Sequence, residues 1–344
     1  LNPRENWKEL LLSLGEKSFT ELMSYHDRAR RMRHENGATI NPFDELTEQT
    51  TAWGLDMVPF PLSEQEWSGI EAGVKQRAQL LENILRDTYG PQELLKNNKI
   101  PSELIFANPN FIHQCHTVQP SGDRFLTYYA VDIYRGLDGQ FRVLRDYGSK
   151  PAGLGFALEN RIVMSRLFSK LYHRSQIRRL APFFQGFHKA LTQRLSPGKE
   201  NPDIVLLSPG PNSHIYFEHA MLSRYLGYPL VEGQDLTVRN GKVFLKKLTG
   251  LEPVEAIFRH IDDRESDPFS LRQESITGIA GLIQVCREQN IDIVNPIGSG
   301  FIDTPALACL LPGLCRDLTG KTLLLQNHPR WWCSSDEGML HLGE

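Results

Sequence analysis

The sequence predicts a mixed α/β protein that contains a Rossmann-like lobe with a parallel sheet. Two segments have the order strand, helix, strand, which is typical of parallel sheets because parallel strands need a long crossover connection. Their apolar runs lie at 204–207, 229–231, 256–261 and 291–294, and their helical patterns lie at 217–225 and 276–287. Residues 201–300 are therefore predicted to form this lobe.

A long amphipathic helix is predicted before this lobe. Ser63 and Glu66 have the spacing of a capping box, and apolar residues recur from Trp67 onward at steps of three and four. Gly90 and Pro91 follow and are strong helix terminators. Together with the polar, helical pattern of the first 50 residues, this helix predicts a helical segment over residues 1–100.

Two hairpins and a further helix are predicted in the middle of the chain. Asp138-Gly139 separates apolar segments at 125–134 and 140–144, and Asn240-Gly241 interrupts a second alternating segment. Both dipeptides favour tight hairpin turns. A helix is predicted over about 159–172 from its apolar face.

Composition narrows the class of protein. The 344 residues include 38 basic and 41 acidic side chains, a net charge of −3, which argues against a polybasic nucleic-acid-binding protein. No apolar run approaches the roughly 20 residues of a membrane span, and the first residues contain no secretory signal pattern. The five cysteines have no metal-type spacing and are expected to be free thiols. A cytoplasmic protein without a membrane partner is the expectation.

Residues that follow the predicted strands are candidates for binding and catalysis. Asn212 and Ser213 follow the strand at 204–207, and one of them is expected to cap the next helix, whose start could bind an anion or could be an ordinary capped turn. A second cluster combines carboxylates with arginines, which suits either a substrate or metal site or a surface ion-pair network. Its members are Arg259, Asp262, Asp263 and Arg272.

Two further groups complete the candidates. Asn295, Gly298 and Gly300 lie in a loop after a strand, where glycine permits close approach of the backbone to a phosphate. Asp132 lies on a hairpin strand whose predicted partner strand carries Arg145, Asp146 and Tyr147. Such an aspartate is either a metal ligand or a structural hydrogen-bond acceptor.

Several motifs, taken in order, resemble the circularly permuted ATP-grasp family, which is related to glutathionylspermidine synthase. The resemblance covers the chain from about residue 50. The segments that carry it are Trp53-Gly54-Leu55-Asp56-Met57-Val58-Pro59, Asp87-Thr88-Tyr89-Gly90, Ala157-Leu158-Glu159-Asn160-Arg161, Ser208-Pro209-Gly210, Tyr216-Phe217-Glu218-His219, Leu230-Val231-Glu232-Gly233, Asp262-Asp263, Asn295-Pro296-Ile297-Gly298-Ser299-Gly300 and Trp331-Trp332-Cys333.

The resemblance implies an ATP-dependent carboxylate–amine ligase that uses Mg²⁺ and forms an amide through an acyl phosphate. Asp132 falls at the family's first metal-ligand position. The family's Glu-Asp-Asn segment reads Arg145-Asp146-Tyr147 here, and a guanidinium cannot ligate a cation. The family's Asp-Asp-Lys segment reads Ile302-Asp303-Thr304, so the phosphate-contacting lysine is replaced.

Two functions follow as alternatives. The chain is either part of a ligase that acts on small-molecule or peptide carboxylates and amines, or a degenerate ATP-grasp protein that binds a ligand or partner. The resemblance also implies a partial ATP-grasp-like lobe over 101–200 and the start of a further, incomplete ATP-grasp segment over 301–344. The closing segments look most like a longer branch of the family with an appended helical domain, which implies residues beyond Glu344.

Overall fold

The computed structural model describes residues 4–40, 51–195 and 203–342 and has the predicted mixed α/β architecture. In chain order the α-helices are α1 (Glu5–Gly15), α2 (Phe19–Glu35), α3 (Glu64–Tyr89), α4 (Glu93–Lys96), α5 (Ser102–Phe106), α6 (Leu154–Leu167), α7 (Ser169–Arg174), α8 (Ala181–Leu195), α9 (Tyr216–Leu226), α10 (Leu282–Arg287), α11 (Pro305–Thr319) and α12 (Asp336–Leu342). The strands are β1 (Thr39–Ile40), β2 (Thr51–Ala52), β3 (Ala130–Arg135), β4 (Phe141–Tyr147), β5 (Ile204–Leu207), β6 (Leu230–Val231), β7 (Leu236–Arg239), β8 (Lys242–Lys247), β9 (Gly250–Pro253), β10 (Ala256–Arg259) and β11 (Asp292–Val294).

The chain divides into two compact units. The first unit comprises Leu1–Trp67, Ala152–Ala190 and Gly210–Leu230, and the second comprises Ser68–Pro151, Leu191–Pro209 and Val231–Glu344. The predicted division into four consecutive segments remains a prediction.

The predicted parallel sheet is present, with the strand order β11-β10-β5-β6. Strand β10 pairs in parallel with both β5 and β11. Strands β5, β10 and β11 are buried along their whole lengths, as expected for a parallel sheet covered on both faces. The large core of the second unit includes side chains of all three strands, among them Val205, Ile257 and Ile293, and also Leu81, Ile84 and Leu85 of α3.

The predicted turn signals form the expected hairpins. Strands β3 and β4 are antiparallel and place Asp132 opposite Arg145. In the β7–β8 hairpin, Asn240 and Gly241 have φ values of 50° and 69°, the left-handed geometry that a two-residue turn of this type requires. Helix α3 also matches its prediction, because the Ser63 hydroxyl accepts the Glu66 amide at 3.2 Å and the helix ends just before Gly90.

The first unit has a smaller core, in which α2 packs on α6. One of its buried clusters consists of Ala29, Val163, Leu167 and Phe168. Trp53 stacks on Phe156 with 4.4 Å between ring centroids. Aromatic and aliphatic side chains thus form the core of this unit.

The predicted helix at 159–172 is wrong in its bounds. The structure has α6 and α7 instead, separated at Phe168, whose φ and ψ of −111° and 44° are not helical. Phe168 is buried in the cluster with Ala29, so packing of this ring replaces continuation of the helix. Tertiary contacts determine this break.

The predicted helix at 276–287 is also wrong in its first half, because α10 begins only at Leu282. The buried carboxylate of Asp267 accepts the amides of Gly281 and Ile283, each at 3.0 Å. Gly278 is packed so closely that a Cβ would lie 2.1 Å from the carbonyl oxygen of Glu265. These contacts hold the preceding residues in turns.

The five cysteines are free, as predicted. Burial raises the pKa of Cys286 to about 12 and also raises the pKa of Cys115, so neither thiol is an activated nucleophile. None of the described helices combines the length and apolarity needed to cross a bilayer.

Candidate functional site

The predicted metal ligand Asp132 lies on β3 with its carboxylate already engaged. The Tyr147 hydroxyl donates to Asp132 Oδ2 at 2.6 Å. Burial and the hydrogen bond to Asp132 raise the pKa of Tyr147, so the phenol remains neutral. The Arg145 guanidinium lies 5.0 Å from the centre of the Tyr147 ring. A carboxylate, a neutral phenol and a guanidinium therefore lie together where the resemblance predicts a metal site.

This set of donors does not fit Mg²⁺. Magnesium prefers octahedral oxygen ligands, most often carboxylates and water. Here Asp132 is the single carboxylate among Asp132, Arg145 and Tyr147, and a fixed guanidinium charge lies beside it. Among the residues that the structure describes, no group of three or more His, Cys, Asp or Glu side chains is arranged to hold a metal.

Asp146 points to the opposite face of β4, as predicted from strand alternation. Its two carboxylate oxygens accept Arg77 Nε at 2.6 Å and Nη2 at 2.7 Å. The Tyr129 hydroxyl donates to the same carboxylate. Burial lowers the pKa of Arg77, but the hydrogen bond and charge of Asp146 outweigh it, and the net pKa is raised. Asp146 is thus a structural ion-pair partner.

Arg259, at the end of β10, is 1% exposed and binds backbone carbonyl oxygens from three segments of the second unit. Its guanidinium donates to Ile261, Ser149 and Asn295. Because the N–H groups of Arg259 are bonded to carbonyl oxygens inside the protein, this side chain holds loops of the second unit in place.

The other three residues of the cluster predicted with Arg259 have different environments. Asp263 is buried: its Oδ2 accepts the Gly300 amide at 2.9 Å, and its Oδ1 lies 2.6 Å from Arg259 Nη2. That second contact is an ion pair by distance without hydrogen-bond alignment, because Arg259 directs its protons to carbonyl oxygens. Asp262 is exposed and pairs with Lys150 at 2.9 Å. Arg272 is exposed and pairs with Glu265.

The Asn295 side chain joins the glycine loop to other segments of the second unit. Its Oδ1 accepts the amides of Thr127 and Tyr128 at 2.9 and 3.0 Å, and its Nδ2 donates to the carbonyl oxygens of Tyr128 and Gly148. The side chain is 1% exposed and fully satisfied by backbone groups. Asn295, predicted to bind a cofactor, is therefore a buried side chain that connects backbone segments of the second unit.

The glycines of the same loop are required by packing. A Cβ on Gly298, whose φ is 100°, would lie 2.5 Å from the Tyr89 hydroxyl oxygen. A Cβ on Gly300 would lie 2.6 Å from Asp263 Oδ2. Residues 291–300 are buried throughout, so these glycines contact protein atoms.

Asn212 and Ser213 belong to the first unit. The prediction that one of them caps the next helix is wrong, because α9 begins at Tyr216 and its N-cap residue is Ile215, which makes no side-chain cap bond. The Ser213 hydroxyl instead accepts the Ile215 amide at 3.4 Å. The predicted site residues thus fall in both units, and the structure brings Arg259, Asp263, Asn295 and Gly300 together in the second.

The sequence reasoning missed two charged residues with specific geometry. Glu218 lies inside the motif Tyr216-Phe217-Glu218-His219, and its carboxylate accepts the Gly153 amide at 2.7 Å at the start of α6. Arg330, beside the Trp331-Trp332 motif, donates to the Leu144 carbonyl oxygen of β4. Each was a charged residue next to a motif already noted, which was the available signal.

Comparison with known proteins identifies the family. The profile of the circularly permuted ATP-grasp type 2 family matches residues 59–343, which is most of the chain. The chain belongs to this family. The resemblance inferred from the motifs is thereby confirmed, and with it the general ATP-grasp ligase fold.

Curated relatives of this ATP-grasp chain are longer proteins. An uncharacterized protein of Mycobacterium tuberculosis is 34% identical over 343 residues, which covers 96% of this chain and 38% of that protein. An uncharacterized Synechocystis protein is 29% identical, covering 97% of this chain and 70% of that protein. The chain spans less than two thirds of the length of its M. tuberculosis relatives.

A solved structure supports the same fold. The apo form of a glutathione synthetase-like effector from Globodera pallida matches with a TM-score of 0.56 at 15% identity. The match covers 88% of this chain and 69% of that chain. At this identity the likeness concerns the fold.

Proposed function

We propose that this chain is a ligand-binding segment built on the ATP-grasp ligase fold, in which Mg²⁺-dependent phosphoryl transfer has been lost. The observation that carries the proposal is the hydrogen bond from the Tyr147 hydroxyl to Asp132 Oδ2 at 2.6 Å, with Arg145 opposite Asp132 in the hairpin. A guanidinium in this position repels a divalent cation. The hydroxyl of Tyr147 is hydrogen-bonded to the Asp132 carboxylate, which is the group that would ligate the cation.

The burial of the glycine loop supports the same proposal. The Gly300 amide is bound to Asp263, and the Asn295 side chain is bound to four backbone groups. A loop that cradles a phosphate directs free N–H groups toward it. Here these polar groups are used within the second unit.

The family match supports a second candidate, an ATP-dependent carboxylate–amine ligase formed by a longer protein. In that reaction a substrate carboxylate attacks the γ-phosphorus of ATP, ADP leaves, and an amine displaces phosphate from the acyl phosphate. ATP, Mg²⁺, and small-molecule or peptide carboxylates and amines would be its cofactors and substrates. Asp132 would be the metal ligand, Arg259, Asp262, Asp263 and Arg272 would serve the substrate side, and Asn212, Ser213, Asn295, Gly298 and Gly300 would line the nucleotide cleft.

Release of ADP from ATP, with and without Mg²⁺, distinguishes the two candidates. We expect this chain and its full-length protein to show no Mg²⁺-dependent turnover, and any ATP binding measured by calorimetry to be unchanged by EDTA. Asp132→Asn is the test variant, and Asp138→Asn is the matched control, because Asp138 lies on the same hairpin and pairs with Arg142. Turnover that Asp132→Asn abolishes and Asp138→Asn retains would overturn the proposal in favour of the ligase.

A further inference from the structure

An open cleft of about 180 Å³ lies in the second unit between the end of β4 and the start of α11. Two arginines line it, Arg145 from β4 and Arg330 from the segment that runs beside β4. That segment is held to the strand by backbone hydrogen bonds, with the Val143 amide donating to Gln326 at 2.9 Å and the His328 amide donating to Val143 at 2.8 Å. Both arginines are therefore held by regular backbone pairing.

The charges of the two arginines are only partly offset: Asp132 lies opposite Arg145 in the hairpin, and the charge of Arg145 also acts on the carboxyl of Asp303. Within residues 4–40, 51–195 and 203–342, neither Arg145 nor Arg330 forms an ion pair with a carboxylate. Arg330 donates to the backbone carbonyl oxygens of Val143 and Leu144, which leaves its positive charge in place. The Arg145 guanidinium faces the Tyr147 ring, a contact that leaves its N–H edge available to an oxyanion.

Two acidic residues also line the cleft, and each is partly or fully neutralised. Asp146 is paired with buried Arg77. Asp303 accepts the Gly148 amide, and burial raises the pKa of its carboxyl to about 7. The side chains that line the cleft therefore carry a net positive charge near neutral pH, with Asp132 of β3 outside this lining.

The start of α11 adds to this field. The helix has 15 residues and begins with Pro305, and its N-cap residue Thr304 makes no side-chain cap bond, so the positive end of the helix dipole is not capped by this side chain. The Thr304 hydroxyl oxygen accepts Asn108 Nδ2 at 2.8 Å, and its hydroxyl proton can still be donated. Thr304 and Ala308, on the first turn, line the cleft with the arginines.

We propose that this cleft binds a phosphate or phosphoanhydride group directly through Arg145 and Arg330, without a metal ion. Two guanidinium groups match the double charge of a phosphate and bind its oxygens in a bidentate manner. A carboxylate has a single charge and would balance only one of the two guanidinium groups. The inference rests on the proposed function in one respect, since it takes the hairpin to be free of Mg²⁺.

The test is calorimetric titration of the wild-type chain with pyrophosphate in EDTA at low ionic strength, followed by the same titration of variants. We expect Arg145→Gln to weaken pyrophosphate binding about tenfold or more, because a charge-assisted hydrogen bond is lost. The matched control is Arg316→Gln, which removes an exposed arginine from the last turn of α11, at the end of the helix away from the cleft. This variant should change the affinity for pyrophosphate less than about twofold. Arg145 is exposed, so its replacement is compatible with folding, which thermal melting checks.

The inference would be overturned if pyrophosphate did not bind at millimolar concentration, or if Arg145→Gln and Arg316→Gln lost the same affinity for pyrophosphate. It would also be overturned if succinate bound more tightly than pyrophosphate, because that would indicate a carboxylate site. Backbone amide NMR shifts localised to the first turn of α11 on titration would support it independently of any activity. Because the titration contains neither ATP nor Mg²⁺, Mg²⁺-dependent turnover would contradict the proposed function and leave this result standing.

Discussion

At the scale of single residues, Arg145 and Tyr147 determine which ions the β3–β4 hairpin can hold. Their side chains lie on the same face of β4 as each other, and Asp132 lies opposite Arg145. The resemblance predicts a carboxylate and an amide at these two positions, and compared with those hard oxygen ligands a guanidinium and a phenol supply a positive charge and a neutral donor. The same backbone then favours anions over cations.

Reversal of these two residues should restore cation binding. We expect Arg145→Glu combined with Tyr147→Asn to create Mg²⁺-dependent nucleotide binding in the full-length protein, because three oxygen-bearing side chains would then surround one point. Titration calorimetry with ATP, in Mg²⁺ and in EDTA, measures it. Adding Asp132→Asn to the double variant should remove the gain. Binding that is identical with and without Mg²⁺ would contradict the placement of the metal site.

The buried ion pair of Arg77 and Asp146 leads to a stability prediction. Arg77→Met leaves the Asp146 carboxylate buried without its cation, and this should lower the free energy of unfolding by about 3–5 kcal/mol. The control is Lys75→Met in the exposed Lys75–Glu71 pair of the same helix, where the loss should be below about 1 kcal/mol. Urea denaturation measures both. Similar decreases of the free energy of unfolding in the two variants would show that the buried pair stabilises the fold no more than the exposed pair.

At the scale of elements, a carboxylate from one helix caps another. Both oxygens of Glu218, on α9, lie 2.7 Å from the Gly153 amide, and Leu154, Gly155 and Phe156 also donate to Glu218. The N-terminus of α6 therefore has a tertiary cap in place of a local one. Burial raises the pKa of Glu218 to about 7, although these amides oppose the shift.

The raised pKa of Glu218 predicts a pH-dependent stability. Since the folded-state pKa of about 7 lies above the ordinary value of 4.5, the folded protein binds the proton more tightly than the unfolded chain. This contribution is fully present below pH 4.5 and is lost as the pH rises to about 7. We expect the stability of the wild type relative to Glu218→Gln to fall by about 3 kcal/mol across this range. Urea denaturation at several pH values measures it, and a constant difference would contradict the assigned pKa.

The same scale shows which elements local sequence can predict. Helix α3 has its capping box, its apolar stripe and its terminating Gly90 within one segment, and its prediction was confirmed. The starts of α6 and α10 were missed, because Glu218 and Asp267 supply their caps from distant positions in the chain. Local pattern does not contain the identity of a distant cap.

At the scale of the whole molecule, the two units have cores of unequal size. Among the described residues, the first unit has the cluster of Ala29 and Val163 and further buried side chains such as Met221 and Leu222, whereas the cluster of the second unit extends from α3 through the parallel sheet to α11. Stability against local opening follows the apolar surface that a region buries.

Native-state hydrogen exchange should detect this inequality. We expect amides of β5 and β10 to exchange only through opening of high free energy, and amides of α2 and α6 to exchange at lower free energy. The interior amides of each element are compared, because helix ends fray. Equal protection in the two sets would mean that the chain opens as one cooperative unit.

The sequence by itself determined the class of fold, the parallel pairing, the hairpins and the family, because apolar periodicity, Asn-Gly and Asp-Gly turns and ordered motifs are local properties. It also predicts, through the resemblance, that Arg145 and Tyr147 stand at metal-ligand positions of the family, and this remains a prediction. The tertiary structure alone decided what Arg259, Asn295 and Gly300 contact, and which distant carboxylates cap α6 and α10. Burial and long-range hydrogen bonds decide whether a polar side chain faces a ligand or holds the protein together, and neither can be read from neighbours in the chain.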